Sequence, residues 1–527
     1  MRISTQQYFD TSSSKYQDNY SGVVKAQDQA SSGIRVQTAA DDPVAAAQLL
    51  MLQQQKDMLG QFNGNITTLQ NSLGNEETVL QSINLALQSA SELALQAGNQ
   101  RLSDDDRKAL ASKVGALEDH VLGLLNSKDS SGNYMFSGSK TDTPPYIRNN
   151  DGTYTYQGDE TPLSLQVSSN LSIAMGDTGK ALLESSSNTG RTQTTLLPPA
   201  VNDGKVAISA GLVTSSTNYI KNFADGQPYK LTFASSTQYS VTDKDGNDVT
   251  SEIPGNGTFD ATKEGASSVN LRGVKFDISL NLGASVAPGA ASDALVAGKV
   301  FTLESKPDTF SVSRTASNPS TAQLTGGSVT DQAAYASTFP NSGAVIKFTS
   351  GTDYQVFAQP YSTDSKAIAS GTIAAGATSV TTAGVTFGIS GTPGAGDQFS
   401  VGATSNKNMN ALDTLGQLRK ALETPSDGSQ VAMNQLKDVV NTSIANLANA
   451  TAQIDQVRGS IGARNNALDI QSQENTSLGL ANTTTMSSLA NVDMGQAAID
   501  LTLQQTMLQA SQLAFVKISQ LSLFSRM

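Results

Sequence analysis

Cysteine is absent from all 527 residues. Disulfide staples, thiolate nucleophiles and cysteine-ligated metals are therefore excluded together. Tryptophan is also absent, aromatic residues make up 6% and hydrophobic residues 38%, so a thin core must serve a long body. The single histidine, His120, rules out an HExxH zinc site and leaves one imidazole to activate any hydroxyl nucleophile. Its place among Leu117, Val121 and Leu124 on a helical pattern gives it a surface or packing role. Neither a GxSxG elbow nor a phosphate loop ending in GK[ST] occurs. The chain is accordingly read as a non-enzyme with no cofactor and no metal. Basic side chains are in the minority, 34 against 46 acidic, for a net charge of -12, which argues against nucleic acid or an anionic membrane as the main partner. No run approaches the ~20 apolar residues of a membrane span. The opening MRISTQQYFDTSSSKYQDNY lacks the apolar stretch of a secretory signal, so export is expected to use another route and membrane insertion is not expected.

What the sequence does contain is heptads at both ends. Asp42 before Pro43 reads as an N-cap with proline at the first helical position. From Phe62, apolar residues recur at Ile66, Leu69, Leu73, Leu80, Ile83, Leu87, Ala90 and Ala94, with Glu76 as the polar interruption. This four-three spacing predicts a coiled-coil seam, on a helix from Pro43 to Ala97 that would be on the order of 80 Å long. Ser103 with Asp104, Asp105 and Asp106 marks a second helix start, whose seam is predicted at Leu110, Val114, Leu117, Val121 and Leu124. The C-terminal flank supplies a matching seam at Val440, Leu447, Ile454, Ile461 and Leu468. A last stripe runs Ile499, Leu503, Met507, Ala510, Ala514, Ile518, Leu521, Leu523 and Phe524. The first forty residues offer few apolar partners for it, Ile3 and Ile34 among them, and an uncovered stripe costs roughly 1.5–3 kcal/mol per large side chain relative to burial. These eleven residues are the expected assembly interface with other subunits.

The composition shifts near Thr141 and again near Asn406. Between them, short alternating segments separated by Asn-Asp-Gly, Asp-Gly and Gly-Thr signals predict all-β structure. Two stretches echo one another. FASSTQYSV from Phe233 parallels FTSGTDYQV from Phe348, GVKFDIS from Gly273 parallels GVTFGIS from Gly384, and the strand around Phe301 parallels that around Phe399. DKDGND, from Asp243 to Asp248, opens like a calcium loop, but Pro254 stands where the bidentate glutamate is needed, so it is read as a hairpin turn. The expected fold class is multidomain α plus β, with discontinuous N- and C-terminal α-helical coiled-coil or bundle domains flanking central all-β domains. The expected division is residues 1–42 with 476–527 as a terminal assembly domain, 43–141 with 406–475 as a rod, 142–200 as a first β-segment, and 201–310 and 311–405 as two β-domain copies.

Three strings on the flanks carry a resemblance. QASSGIRVQTAADDP, from Gln29 to Pro43, SELALQAGN, from Ser91 to Asn99, and VRGSIGARNNALD, from Val457 to Asp469, resemble bacterial flagellins in the family's order. GNYMFSGSKTDTPPY, from Gly132 to Tyr146, and the ending KISQLSLFSRM are similar, within that family, to the subunits that join hook to filament. The resemblance implies an extracellular structural subunit, exported unfolded through the flagellar type III route. Its implied partners are copies of itself, a hook-side junction protein, flagellin and an export chaperone. Filament flagellin itself, or an adhesin or enzyme displayed in the β-domains, are the alternatives.

Overall fold

The computed structural model describes residues 5–99, 101–259, 266–282, 289–340, 342–404 and 406–524. Within these, the side chains of residues 5, 6, 8, 9, 332, 333, 336, 404 and 518–524 are left undescribed. Six long helices lie in the flanks: α1 (Thr5–Ser32), α2 (Pro43–Ala97), α3 (Asp104–Leu125), α4 (Ala411–Glu423), α5 (Gln430–Ala490) and α6 (Met494–Phe524). Between α3 and α4 the described elements are short strands and helices of at most seven residues. Helices flanking an all-β middle are the architecture expected from composition and periodicity.

The chain divides into two compact units, residues 1–74, 163–175 and 461–527 in one and 75–162 and 176–460 in the other. In the first unit, Ile66, Leu69 and Leu73 of α2 and Ile461 and Leu468 of α5 are buried, with Phe62 half-buried. Polar side chains flank this seam in antiparallel register. Gln70 donates to Asp469 at 2.8 Å, Asn475 to Asn63 at 3.3 Å and Asn482 to Gln55 at 3.4 Å. A hairpin, Ser164–Ser168 with Leu171–Ala174, clips onto the helices. Asn65 and Asn475 donate to the carbonyls of Gln166 and Val167, supplying polar partners where the hairpin presents its backbone.

The second unit repeats the same device. Leu80, Ile83, Leu87, Val440, Leu447 and Ile454 are buried, while Asn84 donates to Asp455 at 3.0 Å and Arg458 grips Glu77 at 2.7 and 2.9 Å. Asn63, Gln70, Glu77 and Asn84 are seven residues apart, so one heptad position of α2 carries the polar rail in each unit. Glu76 is buried in the seam and accepts the Asp177 backbone N–H at 2.9 Å.

The helix α3 starts as read, with Ser103 and Asp106 closing a reciprocal capping box. Its seam is shifted from the expectation. Arg107, Leu110, Ala111, Val114, Glu118, Val121 and Leu125 are buried, whereas Leu117 and Leu124 are half-buried. The shift has an electrostatic cause. The buried Glu118 carboxylate receives Arg419 of α4 at 2.8 Å, the Tyr154 hydroxyl at 2.7 Å and Arg148. Burial alone would raise its pKa, but the hydrogen bonds from Arg419, Tyr154 and Arg148 override that and hold it below the ordinary value. Arg107 is likewise fully buried, between Asp104 and Asp427. His120 is exposed on the outer face.

The β-region of the second unit holds two apolar clusters, one from Val206 to Leu303 and one from Phe310 to Val401. The echoing strings occupy equivalent places. One sheet runs Thr192–Leu196, Val300–Ser305, Tyr229–Phe233, Tyr239–Thr242; its counterpart runs Thr309–Arg314, Gln398–Thr404, Ala344–Phe348, Asp353–Ala358, with Ala369–Thr372 added at the edge. Beside each lies a hairpin turned on a non-glycine residue and a glycine, both at positive φ: Arg272 (47°) with Gly273 (90°), and Ala383 (48°) with Gly384 (77°). That pairing of dihedral signs matches the twist of the flanking strands. The carbonyls of Gly273 and Gly384 each accept two backbone N–H groups, from Thr214 and Ser215 and from Thr330 and Asp331. Asp243 accepts the N–H groups of Asp245 and Asn247, with Gly246 at φ 85°, so DKDGND is a turn that uses its own aspartate as acceptor.

Candidate functional site

The termini meet in the first unit, where α1 and α6 pack antiparallel. Asn19 donates to the Met507 carbonyl at 3.5 Å, Tyr16 and Phe515 stack with ring centroids 6.2 Å apart, and a Cβ at Gly22 would come within 2.8 Å of Gln504. The face that α6 turns inward is Ala497, Leu501, Gln504, Leu508, Ser511 and Phe515, all buried or half-buried. Opposite it on α1 stand Ser12, Tyr16, Asn19, Val23 and Ala26, a lean surface with two polar members.

The expected interface residues lie on the other face of α6. Ile499 is 63% exposed, Leu503 55% and Met507 45%, and Ala510 and Ala514 are exposed as well. Leu513 and Val516 add to this open surface, and periodicity did not single them out. Ile34 is 39% exposed, off the helix in the connection from α1 to α2. Ile3 lies outside the described residues, as do the side chains of Ile518, Leu521, Leu523 and Phe524. A helix carrying large apolar residues on two faces packs one against α1 and leaves the second in water.

The connection between α1 and α2 is built by the QASSGIRVQTAADDP string. Gly33 takes φ 71° and turns the chain beside the α5–α6 junction. There Val492 N–H donates to the Gly33 carbonyl at 2.9 Å, Arg35 N–H to Ala490 at 2.6 Å, and the Arg35 guanidinium to Leu489 at 2.9 Å. Asp42 caps α2 through Ala45 N–H at 3.0 Å and pairs with Arg35 at 3.1 Å. Asp41 accepts Lys25 at 2.6 Å and the N–H groups of Gln37 and Thr38. Both carboxylates are pulled below the ordinary aspartate range, Asp41 chiefly by Lys25 and Asp42 chiefly by the Ala45 backbone. Sequence reasoning found the cap at Asp42; the lock of Arg35 and Gly33 onto residues some 450 positions away has no local signal.

This locked corner lies within the stretch that matches a known family. Residues 3–141 match the family described as the bacterial flagellin N-terminal helical region. Over these residues the chain is similar to flagellins. Among individual proteins, the flagellar hook-associated protein 3 of Salmonella typhimurium is 35% identical over 185 residues, 35% of this chain and 57% of that protein. The flagellar hook-associated protein 3 of Escherichia coli is 34% identical over 192 residues, with the same two shares. The chain therefore covers somewhat more than half the length of these relatives. Among solved structures, hook-associated protein 3 of Legionella pneumophila is similar with a TM-score of 0.48 and 22% identity, over 83% of this chain and 98% of that one. FlgL of Xanthomonas campestris gives 0.40 and 20%, over 82% and 98%. The matched residues contain α1, α2, α3 and the connection between α1 and α2, residues 33–42.

Proposed function

We propose that the chain is a structural subunit of the bacterial flagellum, an adaptor between hook and filament that assembles through its terminal helices after export. The observation that carries this is the open apolar face of α6, where Ile499, Leu503, Met507, Ala510 and Ala514 stand in water on a helix already packed on its other side. Covering such a face stabilises by about 25 cal/mol per Å² of apolar surface removed from water. Neighbouring copies of the same chain, a hook-side junction protein and flagellin are the partners that would cover it. An export chaperone would cover it beforehand, in the unfolded state. The flagellin-type flank and the two relatives called flagellar hook-associated protein 3 support the same reading. In this reading residues 1–42 with 476–527 are the assembling part, 43–141 with 406–475 the rod, and 142–200, 201–310 and 311–405 β-structure. The place of action is extracellular, and the reading needs no catalysis.

Deleting the gene in the source bacterium tests it directly. The expected result is hooks without filaments and unassembled flagellin in the medium. Normal filaments in that strain would overturn the proposal. Growth of long filaments from the purified chain alone would do the same, in favour of a filament flagellin.

A further inference from the structure

The second unit contains a cleft of about 900 Å³ between its two β-clusters. At its wall stands Arg191, only 5% exposed. The guanidinium lies over the Tyr219 ring, 4.7 Å from its centroid, and donates from Nη2 to the Ser216 hydroxyl at 2.9 Å. Among the described residues it has no carboxylate partner, and its Nε is buried without any hydrogen bond. A buried cation without a counter-ion costs several kcal/mol. One hydroxyl and one aromatic face repay part of that, and most of the guanidinium donors remain unspent. The corresponding tyrosine of the second β-cluster, Tyr335, has an ordinary arrangement, its hydroxyl donating to Asp308 at 2.8 Å.

The rest of the lining narrows the chemistry. Lys244, Lys306 and Lys407 add positive charge, but Asp225, Glu304 and Asp308 offset it, so a polyanion such as a phosphate chain or a sulfated polymer would meet repulsion. Those same carboxylates keep acceptor capacity beyond the bonds that Glu304 accepts from Gln193 and Asp308 from Tyr335 and Asn406, and are suited to hydroxyl groups. Ile220, 55% exposed on the wall, offers an apolar patch of the kind a sugar ring's C–H face covers. The volume lies in the range of small-molecule sites and is far larger than an inorganic anion needs. We propose that this cleft binds an acidic saccharide, a hydroxyl-rich ring bearing one carboxylate, with that carboxylate on the Arg191 guanidinium. Guanidinium groups favour planar, two-oxygen acceptors such as a carboxylate. The inference does not depend on the junction reading, since it concerns the two β-clusters alone.

The test titrates the full chain with D-glucuronate and with N-acetylneuraminate, alongside D-glucose and inorganic phosphate, following ligand saturation-transfer signals and heat. At least one sugar acid is expected to bind in the millimolar range, with glucose and phosphate each weaker by roughly ten-fold or more, as for a site built around one paired charge. Arg191→Met should abolish the signal. Because that variant also removes packing against Tyr219, a second one, Ile220→Trp, fills the cleft from its exposed wall while leaving Arg191 in place, and should block binding with an unchanged melting temperature. Absence of binding by both sugar acids overturns the proposal. So does phosphate binding as tight as the sugar acid, or binding that survives Ile220→Trp.

Discussion

The two units solve the same packing problem and finish it differently. Each buries an α2–α5 seam flanked by a polar rail one heptad position wide. Yet of the twenty-four exposed large apolar side chains among the described residues, eighteen lie in the first unit, which has well under half of the chain. The second unit spends its polar groups inward. Glu118 joins α3, the Tyr146–Arg148/Tyr154–Tyr156 hairpin and α4, and Arg107 joins α3 to the turn before α5. A surface with few exposed large apolar side chains needs little further cover, whereas one made of Leu50, Met51, Ile470, Leu480, Ile499, Leu503 and Leu513 leaves a large apolar area in water. Under the proposed function, the difference separates a body that folds to completion from one that is finished by association.

The largest expected effect breaks the first unit alone. Removing residues 494–527 should abolish incorporation into the flagellum completely, while the second unit keeps its melting transition and its resistance to limited proteolysis. A subtler form, Leu503→Asp with Met507→Asp, leaves the inward face of α6 intact and should give the same loss of assembly with α1 and α6 still paired. Retained assembly in the double variant would show that the open face is not the contact surface. The next effect belongs to the second unit. Glu118→Ala leaves the Tyr154 hydroxyl without its acceptor and takes the buried carboxylate from Arg148 and Arg419, which keep Asp119 and Glu423, and should cost about 1.5–3 kcal/mol in urea unfolding. Glu118→Gln keeps an acceptor and should cost less. Loss of less than about 1 kcal/mol in the alanine variant would mean the site is solvated and the unit's polar interior is not what completes it.

These contrasts were unequally legible in the chain itself. The seams could be read because Leu, Ile and Val at heptad spacing have few other reasons to recur, and the Asp42–Pro43 start and Ser103 cap were local signals. The outer face of α6 was also visible. Its inner face was not, because Gln504 and Ser511 interrupt it and α1 answers it with Ser12 and Asn19. The α3 seam was misphased by about one residue, since a buried Glu118 or Arg107 reads as a surface residue until Arg148, Arg419, Asp104 and Asp427 arrive from distant segments. The equivalence of the two β-clusters could be seen from the FASSTQYSV and FTSGTDYQV pair, but Arg191 carries no pattern that distinguishes it from any other arginine. Local periodicity is written along the chain, and compensation between remote charges is not.

The smallest effect sharpens the comparison through pH. Asp438 of α5 sits against the β-structure of the second unit, where its carboxylate accepts Ala210 N–H at 3.1 Å. Burial pushes its pKa up to about 6, with Asp277 adding repulsion and the Ala210 hydrogen bond, Lys437 and Lys306 pulling the other way. Asp413 on α4 is raised to about 6 as well, again chiefly by burial and with Glu184 nearby. A carboxyl raised in the folded state favours folding below its unfolded value near 4 and loses that contribution as pH climbs through 6, because the unfolded chain then gives up its proton more readily. The first unit carries the opposite pair. Asp41 and Asp42 are depressed, so what they contribute is present above pH 4 and disappears only as pH falls through their low folded values. Asp438→Asn should therefore stabilise the second unit by about 2 kcal/mol at pH 7.5 and leave it unchanged near pH 3.5. Asp41→Asn should leave the second unit's transition untouched at every pH and weaken the α1–α2 corner at pH 7.5 and still at pH 3.5, the difference fading only in stronger acid as the folded carboxylate itself takes up a proton. Unfolding curves that report the two units separately, recorded at both pH values, would reverse the assignment if the Asp438 variant gained stability in acid instead.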